Sequence, residues 1–137
     1  ESIAGSVDYS NGSDNRYIKI NNHLSIIPVI CYEIVYFWKL IDKYNSNADL
    51  IINITNDSWF GDFSGPYQHF YLTKLRAAEF NKPIIRLSNN GVSAIINNFG
   101  NIIENTSLNN NEVIKSSFYI FEDTLQKLTL LLQRHPR

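Results

Sequence analysis

The chain has 137 residues, of which 44% are hydrophobic and 13% aromatic, and its formal net charge is −1. This length and apolar content predict one folded domain and exclude a disordered tail. Lys and Arg are scattered, which argues against a nucleic-acid partner because such a groove needs a basic stripe. One Cys and three separated His predict neither an internal disulfide nor a metal site, and we expect no cofactor.

The sequence carries no segment with the pattern of a leader or a membrane span. Its first residues, ESIAGSVDYS, lack the charged and then apolar order of a signal peptide. No uninterrupted apolar run approaches the roughly 20 residues that a membrane helix needs. Because the composition also lacks Met, we expect the sequence to begin inside a longer polypeptide.

The first part of the chain predicts a polar segment, a hairpin and a helix. Residues 1–16 are rich in Gly, Ser and Asn and read as a loop. YIKI (17–20) alternates, and LSIIPVIC (24–31) is a continuous apolar run, as expected for a hairpin leading into a buried strand. Pro28 lies inside that run and predicts a bulge or a locally unpaired residue. EIVYFWKLIDKY (33–44) has the apolar spacing of an amphipathic helix.

The remainder alternates between strand and helix patterns. We predict, in order, a strand, a helix, a strand, a hairpin and a last strand at 48–55, 67–82, 83–88, 92–105 and 112–121. Strand-helix-strand units favour right-handed crossovers and parallel pairing, and the hairpin adds antiparallel strands. The fold class is therefore α/β, with a mixed sheet.

The single cysteine, Cys31, lies where the second predicted strand hands over to a helix. A thiol in that position points off the carboxyl edge of the sheet, where ligands bind in open α/β folds. A helix N-terminus stabilises a thiolate, and the backbone N–H of Tyr32 would face a developing oxyanion. From these residues alone, an inert buried cysteine remains the alternative.

Several longer stretches, taken in order, resemble one family. ICYE, then ADLIINITNDSWFG, then GPYQHFYLTKLRAAEFNKPIIRLSNNGVSAII is similar to the nitrilase, or carbon–nitrogen hydrolase, superfamily. Within that superfamily, the passage of NDSWFG directly into GPYQH and the NNGVSA turn most resemble the apolipoprotein N-acyltransferases. The likeness runs in register from about 24 to 100 and more loosely to about 121.

The resemblance implies a fold and a set of site residues. The fold would be part of an α/β/β/α sandwich, a mixed sheet with helices on one face. Cys31 matches the nucleophile, and Tyr32 and Glu33 match two further catalytic residues. Trp59 and Phe60 match the loop beside the acyl pocket. The implied reaction passes a fatty acyl group from phospholipid to the cysteine, as a thioester, and then to the N-terminal amine of a lipoprotein.

The resemblance also predicts that part of the catalytic domain is absent from this sequence. The family's glutamate base and lysine lie upstream of the cysteine, and nothing before Cys31 matches them. We therefore expect a polar lead-in at 1–16, the C-terminal part of the domain at 17–121 and a helical stub at 122–137. The isolated chain should be inactive without its missing N-terminal half. The family implies the bacterial inner membrane, with the domain facing the periplasm.

Two alternative functions remain open, a soluble amidase of the same superfamily and a non-catalytic remnant.

Other polar residues have simpler interpretations. His69 is expected on a helix surface, Asp57 in local turn hydrogen bonds, and Arg76 in an exposed ion pair with Glu79. Gly91, after Asn90, is expected to serve a tight turn.

Overall fold

The computed structural model describes residues 15–36, 47–61, 63–109 and 112–117. These ranges contain six strands, β1 (Ile18–Lys19), β2 (Ser25–Ile30), β3 (Leu50–Thr55), β4 (Ile84–Ser88), β5 (Ala94–Ile96) and β6 (Ile102–Asn105). They also contain one α-helix, α1 (Ser64–Phe80), and two short 3-10 helices, the first at Cys31–Val35 and the second at Asp57–Phe60.

The strands form one mixed sheet in the order β1-β2-β3-β4-β5-β6. The central strands β2, β3 and β4 are parallel, while β1, β5 and β6 pair antiparallel with their neighbours. A chain that alternates apolar strands with helices builds parallel pairs, and hairpins add antiparallel strands at the edges. The predicted α/β class and mixed sheet are confirmed.

One face of the sheet carries the core, which packs against α1 and the first 3-10 helix. Side chains alternate along a strand, so every second residue of β2, β3 and β4 points to this face. Its buried apolar residues are Ile27, Val29, Ile34, Ala48, Ile51, Phe70, Ala77, Ile84, Val92, Ala94 and Ile96. The face also carries buried polar residues, and these build the candidate site.

The opposite face of the central strands is apolar and is open at its carboxyl end, whereas Ile26 and Leu50 at its other end are buried. Ile30, Ile54 and Leu87 are direct neighbours across β2, β3 and β4, and about half of each side chain is exposed. Apolar rows of this kind are normally covered by a second layer.

Helix α1 extends from Ser64 to Phe80, against the predicted 67–82. It ends two residues before the predicted boundary, because Asn81 adopts the left-handed conformation and its N–H bonds back to carbonyls of the last turn. No helix within the described ranges combines the length and apolar character needed to cross a bilayer.

Of the two outcomes predicted for Pro28, the bulge is wrong and the local lack of pairing is seen on one side. Pro28 pairs in register with Ile52, while β1 reaches only as far as Ile26 on the other side of β2. A proline at a strand position without a second neighbour forfeits no ladder bond. The helix predicted at 33–44 begins as a 3-10 helix that ends at Val35, and 37–46 lie outside the described residues.

The last predicted strand, at 112–121, is also corrected in part. Residues 112–117 are not a strand, and 118–121 lie outside the described residues. The predicted lead-in at 1–16 falls mostly outside them, and the predicted stub at 122–137 falls there entirely.

Candidate active site

Cys31 occupies a sharp bend directly after β2. Its φ is +48°, a left-handed value that is uncommon for a residue with a Cβ, and its side chain is partly exposed. Such a conformation costs free energy and persists only where the surroundings hold it. The bend lifts the thiol from the carboxyl edge of the parallel strands, where ligands bind in open α/β sheets.

Two residues of β3 hold this bend from below. The Asn53 side chain donates hydrogen bonds to the carbonyls of Val29 and Cys31, at 3.1 and 3.4 Å. The hydroxyl of Thr55 lies 3.4 Å from the Cys31 sulfur, in donor geometry. The expected α-helix N-terminus is a five-residue 3-10 helix, so this hydroxyl is the close polar group that can stabilise a thiolate.

Glu33 braces the bend that carries Cys31. Its carboxylate accepts two hydrogen bonds from the Arg16 guanidinium, at 2.6 and 2.7 Å, and one from the backbone N–H of Ile30, at 2.8 Å. The bond to Ile30 ties the end of β2 to the 3-10 helix that follows. Glu33 therefore fixes the backbone on both sides of Cys31.

Tyr32 and Phe60 form an aromatic contact beside Cys31, whereas Trp59 stands apart. The rings of Tyr32 and Phe60 are 6.3 Å apart between centroids, and both contact His69. Trp59 is 75% exposed. Of the two residues predicted at the acyl pocket, the structure therefore brings Phe60 to the bend and leaves Trp59 at the surface.

The loop that carries Phe60 is held by the Asn-Asn-Gly turn after β4. Asn89 accepts a hydrogen bond from the backbone N–H of Asp57 and donates to Asn56 and Ser58, and Asn90 accepts from the Ser58 hydroxyl. Two segments more than 30 residues apart in sequence thus fix each other at the edge of the sheet.

A buried ion pair lies beneath this loop. Asp57 and Arg86 have fully buried side chains, and Arg86 Nη2 donates to Asp57 Oδ2 at 2.6 Å. Asp57 also accepts hydrogen bonds from Thr55, His69 and Ser88. Arg86 donates further to Asn53, Thr73 and the carbonyl of Val92. A buried charge is tolerated when it is paired and fully hydrogen-bonded in this way.

The charges of this pair follow from its surroundings. Burial would raise the pKa of the Asp57 carboxyl, but the His69 hydrogen bond, the Arg86 charge and the Ser88 hydroxyl together lower that pKa to about 2. Burial lowers the pKa of Arg86, and the Asp57 charge opposes this shift. A guanidinium stays protonated at neutral pH, so the pair is ionised.

This network connects the core to the cysteine. Asn53 accepts from Arg86 and donates to the Cys31 carbonyl, while Thr55 lies between Asp57 and the Cys31 sulfur. The single Thr55 hydrogen is available to the sulfur or to the carboxylate, so the thiol and the ion pair share one donor.

The structure corrects three simpler interpretations and adds to a fourth. His69 is 2% exposed, not on the helix surface, and Asp57 is buried in the ion pair, not engaged only in its own turn. Arg76 is buried and donates to the Ile34 carbonyl as well as to Glu79. Gly91 has a further constraint besides the turn, since a Cβ there would lie 1.9 Å from Asp57 Oδ2.

Sequence reasoning missed Asn53 and Arg86 as supports of the site, although a signal was present. Each lies in the middle of an apolar strand, in LIINIT and IIRLS. A polar or charged residue at a buried strand position needs a partner, so two of them on adjacent strands indicate a shared network. Among the residues that the structure describes, no group of His, Cys, Asp and Glu is arranged to hold a metal ion.

Comparison with known proteins identifies the class. The family model for carbon–nitrogen hydrolases matches residues 12–118. A CN-hydrolase superfamily protein of Xanthomonas campestris has a similar fold, with a TM-score of 0.62 and 16% identity over 91% of this chain and 50% of that one. The chain therefore belongs to the carbon–nitrogen hydrolase family.

Relatives within that family narrow the comparison. The chain is 49% identical to an apolipoprotein N-acyltransferase of Rickettsia typhi over 106 residues, and 41% identical to one of Allorhizobium ampelinum over 110 residues. These matches cover 77% and 80% of this chain. The predicted resemblance is confirmed. The chain spans about one fifth of the length of these relatives, as expected for a fragment.

Proposed function

We propose that this chain forms part of the catalytic domain of an apolipoprotein N-acyltransferase and that Cys31 is its nucleophile. The observation that carries the proposal is the placement of Cys31. Its sulfur is partly exposed on a left-handed bend after β2, with the Thr55 hydroxyl at 3.4 Å. Relatives that bear this name align with more than three quarters of the chain, which supports the choice within the family.

In the first half-reaction, the Cys31 thiolate attacks an ester carbonyl of a phospholipid. A C–S bond forms, the C–O bond breaks, and the lysophospholipid leaves as an alcohol after taking a proton. The Thr55 hydroxyl, 3.4 Å from the sulfur, stabilises the thiolate before attack, and the Tyr32 backbone N–H would stabilise the oxyanion. The base and the oxyanion lysine would come from residues upstream of this sequence.

In the second half-reaction, the N-terminal amine of a lipoprotein attacks the thioester. A C–N bond forms, the C–S bond breaks, and the amine proton passes to the upstream base. Glu33 supports both steps by holding the bend through Arg16 and Ile30, and a carboxylate so engaged is a poor proton acceptor. Tyr32 and Phe60 line the path of the acyl chain, while the exposed Trp59 meets the incoming lipid.

The proposed partners follow from this chemistry. They are a phospholipid as acyl donor, a lipoprotein as acceptor, and the N-terminal half of the catalytic domain, which would cover the open sheet face. The proposed location is the bacterial inner membrane, with the domain facing the periplasm.

Intact-mass spectrometry after incubation with phosphatidylethanolamine vesicles tests the proposal. The chain is measured alone and together with the catalytic-domain residues that precede the matched region in the Rickettsia typhi relative. We expect a palmitoyl-sized adduct that appears only in the mixture and that hydroxylamine removes, because thioesters are labile to it. Cys31→Ala should abolish the adduct.

Each alternative gives a different result. An amidase would show no adduct from phospholipid but would release ammonia from simple amides in the mixture. A non-catalytic remnant would show neither the adduct nor ammonia. Circular dichroism on the same sample would have to show a folded chain for this result to count. Either result would contradict the proposed acyl transfer.

A further inference from the structure

His69 is a buried histidine with one ring nitrogen fixed and the other unpartnered. Its Nδ1 lies 2.9 Å from Asp57 Oδ1. Because the low pKa of Asp57 keeps that carboxylate ionised, Nδ1 carries the hydrogen and donates it. The Arg86 contact with Nδ1 at 3.5 Å is then not a hydrogen bond. Within the described part of the chain, Nε2 is the buried side-chain atom with no hydrogen-bond partner.

An unpartnered buried nitrogen costs free energy, so its presence calls for a reason. The hydrogen bond made by the other nitrogen, Nδ1, explains why a histidine is present. Donation from Nδ1 to Asp57 sets the tautomer and restricts rotation of the ring, which a phenylalanine at the same place could not achieve. The ring is therefore held in one orientation by the buried ion pair.

The two rings packed on this imidazole are residues of the candidate active site. The His69 centroid is 5.6 Å from that of Tyr32 and 5.3 Å from that of Phe60. Tyr32 follows Cys31 in sequence, and Phe60 ends the second 3-10 helix. His69, which is 2% exposed, is the ring of this trio anchored in the core.

We propose that His69 is a positioning residue, whose Asp57-anchored ring sets Tyr32 and Phe60 as the wall that receives a hydrocarbon chain carried on the Cys31 sulfur. This inference deepens the proposed function and rests on it for the nature of the chain. In this inference the His69 ring shapes the pocket by packing on Tyr32 and Phe60, and its Nδ1–H holds the ring in place through Asp57.

Chain-length selectivity at Cys31 tests the assignment without any upstream residues. Methyl and octyl methanethiosulfonate each form a disulfide with the thiolate and release methanesulfinate, and Cys31 is the only cysteine. The octyl reagent is used below its micelle concentration, and the ratio of octyl to methyl rates is measured. The wild-type chain should favour the octyl reagent.

Two variants separate the ring from its hydrogen bond. His69→Asn keeps an N–H at the same number of bonds from the backbone but removes the ring, and it should lower the ratio about fivefold, the size expected for lost aromatic contacts. His69→Phe keeps a ring and loses the donor that anchors it, so its ratio should fall between those of wild type and His69→Asn, and it should unfold at lower urea concentration.

A third variant keeps the test decisive if either His69 variant folds poorly. Phe60→Leu should lower the ratio by itself, and adding His69→Asn should lower it little further, because both changes act on one wall. Full multiplication of the two effects would overturn the proposal, as would a folded His69→Asn protein with wild-type selectivity. Absence of a phospholipid adduct would refute acyl transfer but leave this ratio measurable.

Discussion

Replacing Asp57 by Asn tests whether the buried ion pair organises this half of the domain. The substitution preserves the shape of the side chain and removes its charge. The Arg86 guanidinium then lies fully buried without a counter-charge. In addition, both carboxylate oxygens accept hydrogen bonds, from Thr55 and His69 on one side and from Arg86 and Ser88 on the other, so an amide N–H₂ must face donors.

The magnitude follows from the pKa and from the orphaned charge. Lowering the pKa of Asp57 from 3.8 to about 2 corresponds to about 2 kcal/mol of stability at neutral pH. Removing one partner of a buried pair costs about 3 to 5 kcal/mol, since the other charge remains uncompensated. We expect Asp57→Asn to lower the free energy of unfolding by an amount in that upper range.

Urea unfolding followed by far-ultraviolet circular dichroism measures the effect, with Glu79→Gln as the control. Glu79 pairs with Arg76 but is 41% exposed, and partly exposed pairs contribute no more than about 1 kcal/mol. The pKa of Asp57 is lower in the folded than in the unfolded chain. Its contribution is therefore present above pH 4 and lost as the pH falls towards 2.

The difference between wild type and Asp57→Asn should therefore shrink by about 2 kcal/mol between pH 5 and pH 2. An Asp57→Asn cost no larger than that of Glu79→Gln, or a difference that stays constant with pH, would refute the reasoning.

Three further substitutions have expected outcomes. Gly91→Ala should destabilise the fold by about 2 kcal/mol or more, because its Cβ would lie 1.9 Å from Asp57 Oδ2; an unchanged urea midpoint would contradict this. Thr55→Val should slow alkylation of Cys31 by iodoacetamide about fivefold at pH 7, since it removes the hydroxyl beside the sulfur; an unchanged rate would rule out that role. Ile54→Lys should reduce self-association in sedimentation velocity, because Ile54 is 50% exposed on the open sheet face.

The self-association prediction has a matched control on the other side of the molecule. Leu75 is 49% exposed on α1, so Leu75→Lys adds the same charge at a similar exposure away from the sheet face. If both substitutions reduce association equally, net charge is responsible and the open face is not the contact surface.

The strand and helix order could be predicted because it depends on local periodicity. Runs such as LIINIT and the end of α1 at Asn81 report burial and chain reversal within a few residues. The strand predicted at 112–121 relied on the same local pattern, and the structure shows no strand at 112–117. The β-branched pair Val113-Ile114 in EVIKSS is typical of a strand, but a strand also needs a neighbour, which local sequence does not supply.

The polar network could not be predicted because its members are distant in sequence and each has an ordinary local explanation. Asp57 suits a turn, and His69 suits a helix at many positions. The network forms because the register of β3 and β4 sets Asn53 beside Arg86 on the face under α1. The polar residue inside LIINIT and the charge inside IIRLS were the signals of buried partners.

The two faces of the sheet differ in chemistry, since one carries the polar network and the other carries aliphatic side chains. This difference bears on how the proposed upstream half would bind. The face under α1 satisfies its buried charges with residues of this chain, since Arg86 and Asp57 exchange donors and acceptors with Asn53, Thr55 and His69. The open face presents aliphatic side chains. A complementing half therefore needs only to cover apolar surface there, and its docking leaves the network that holds Cys31 unchanged. Complementation should then permit phospholipid acylation, and because the upstream half brings a base to the thiol, it should also raise the rate at which a small alkylating reagent modifies Cys31.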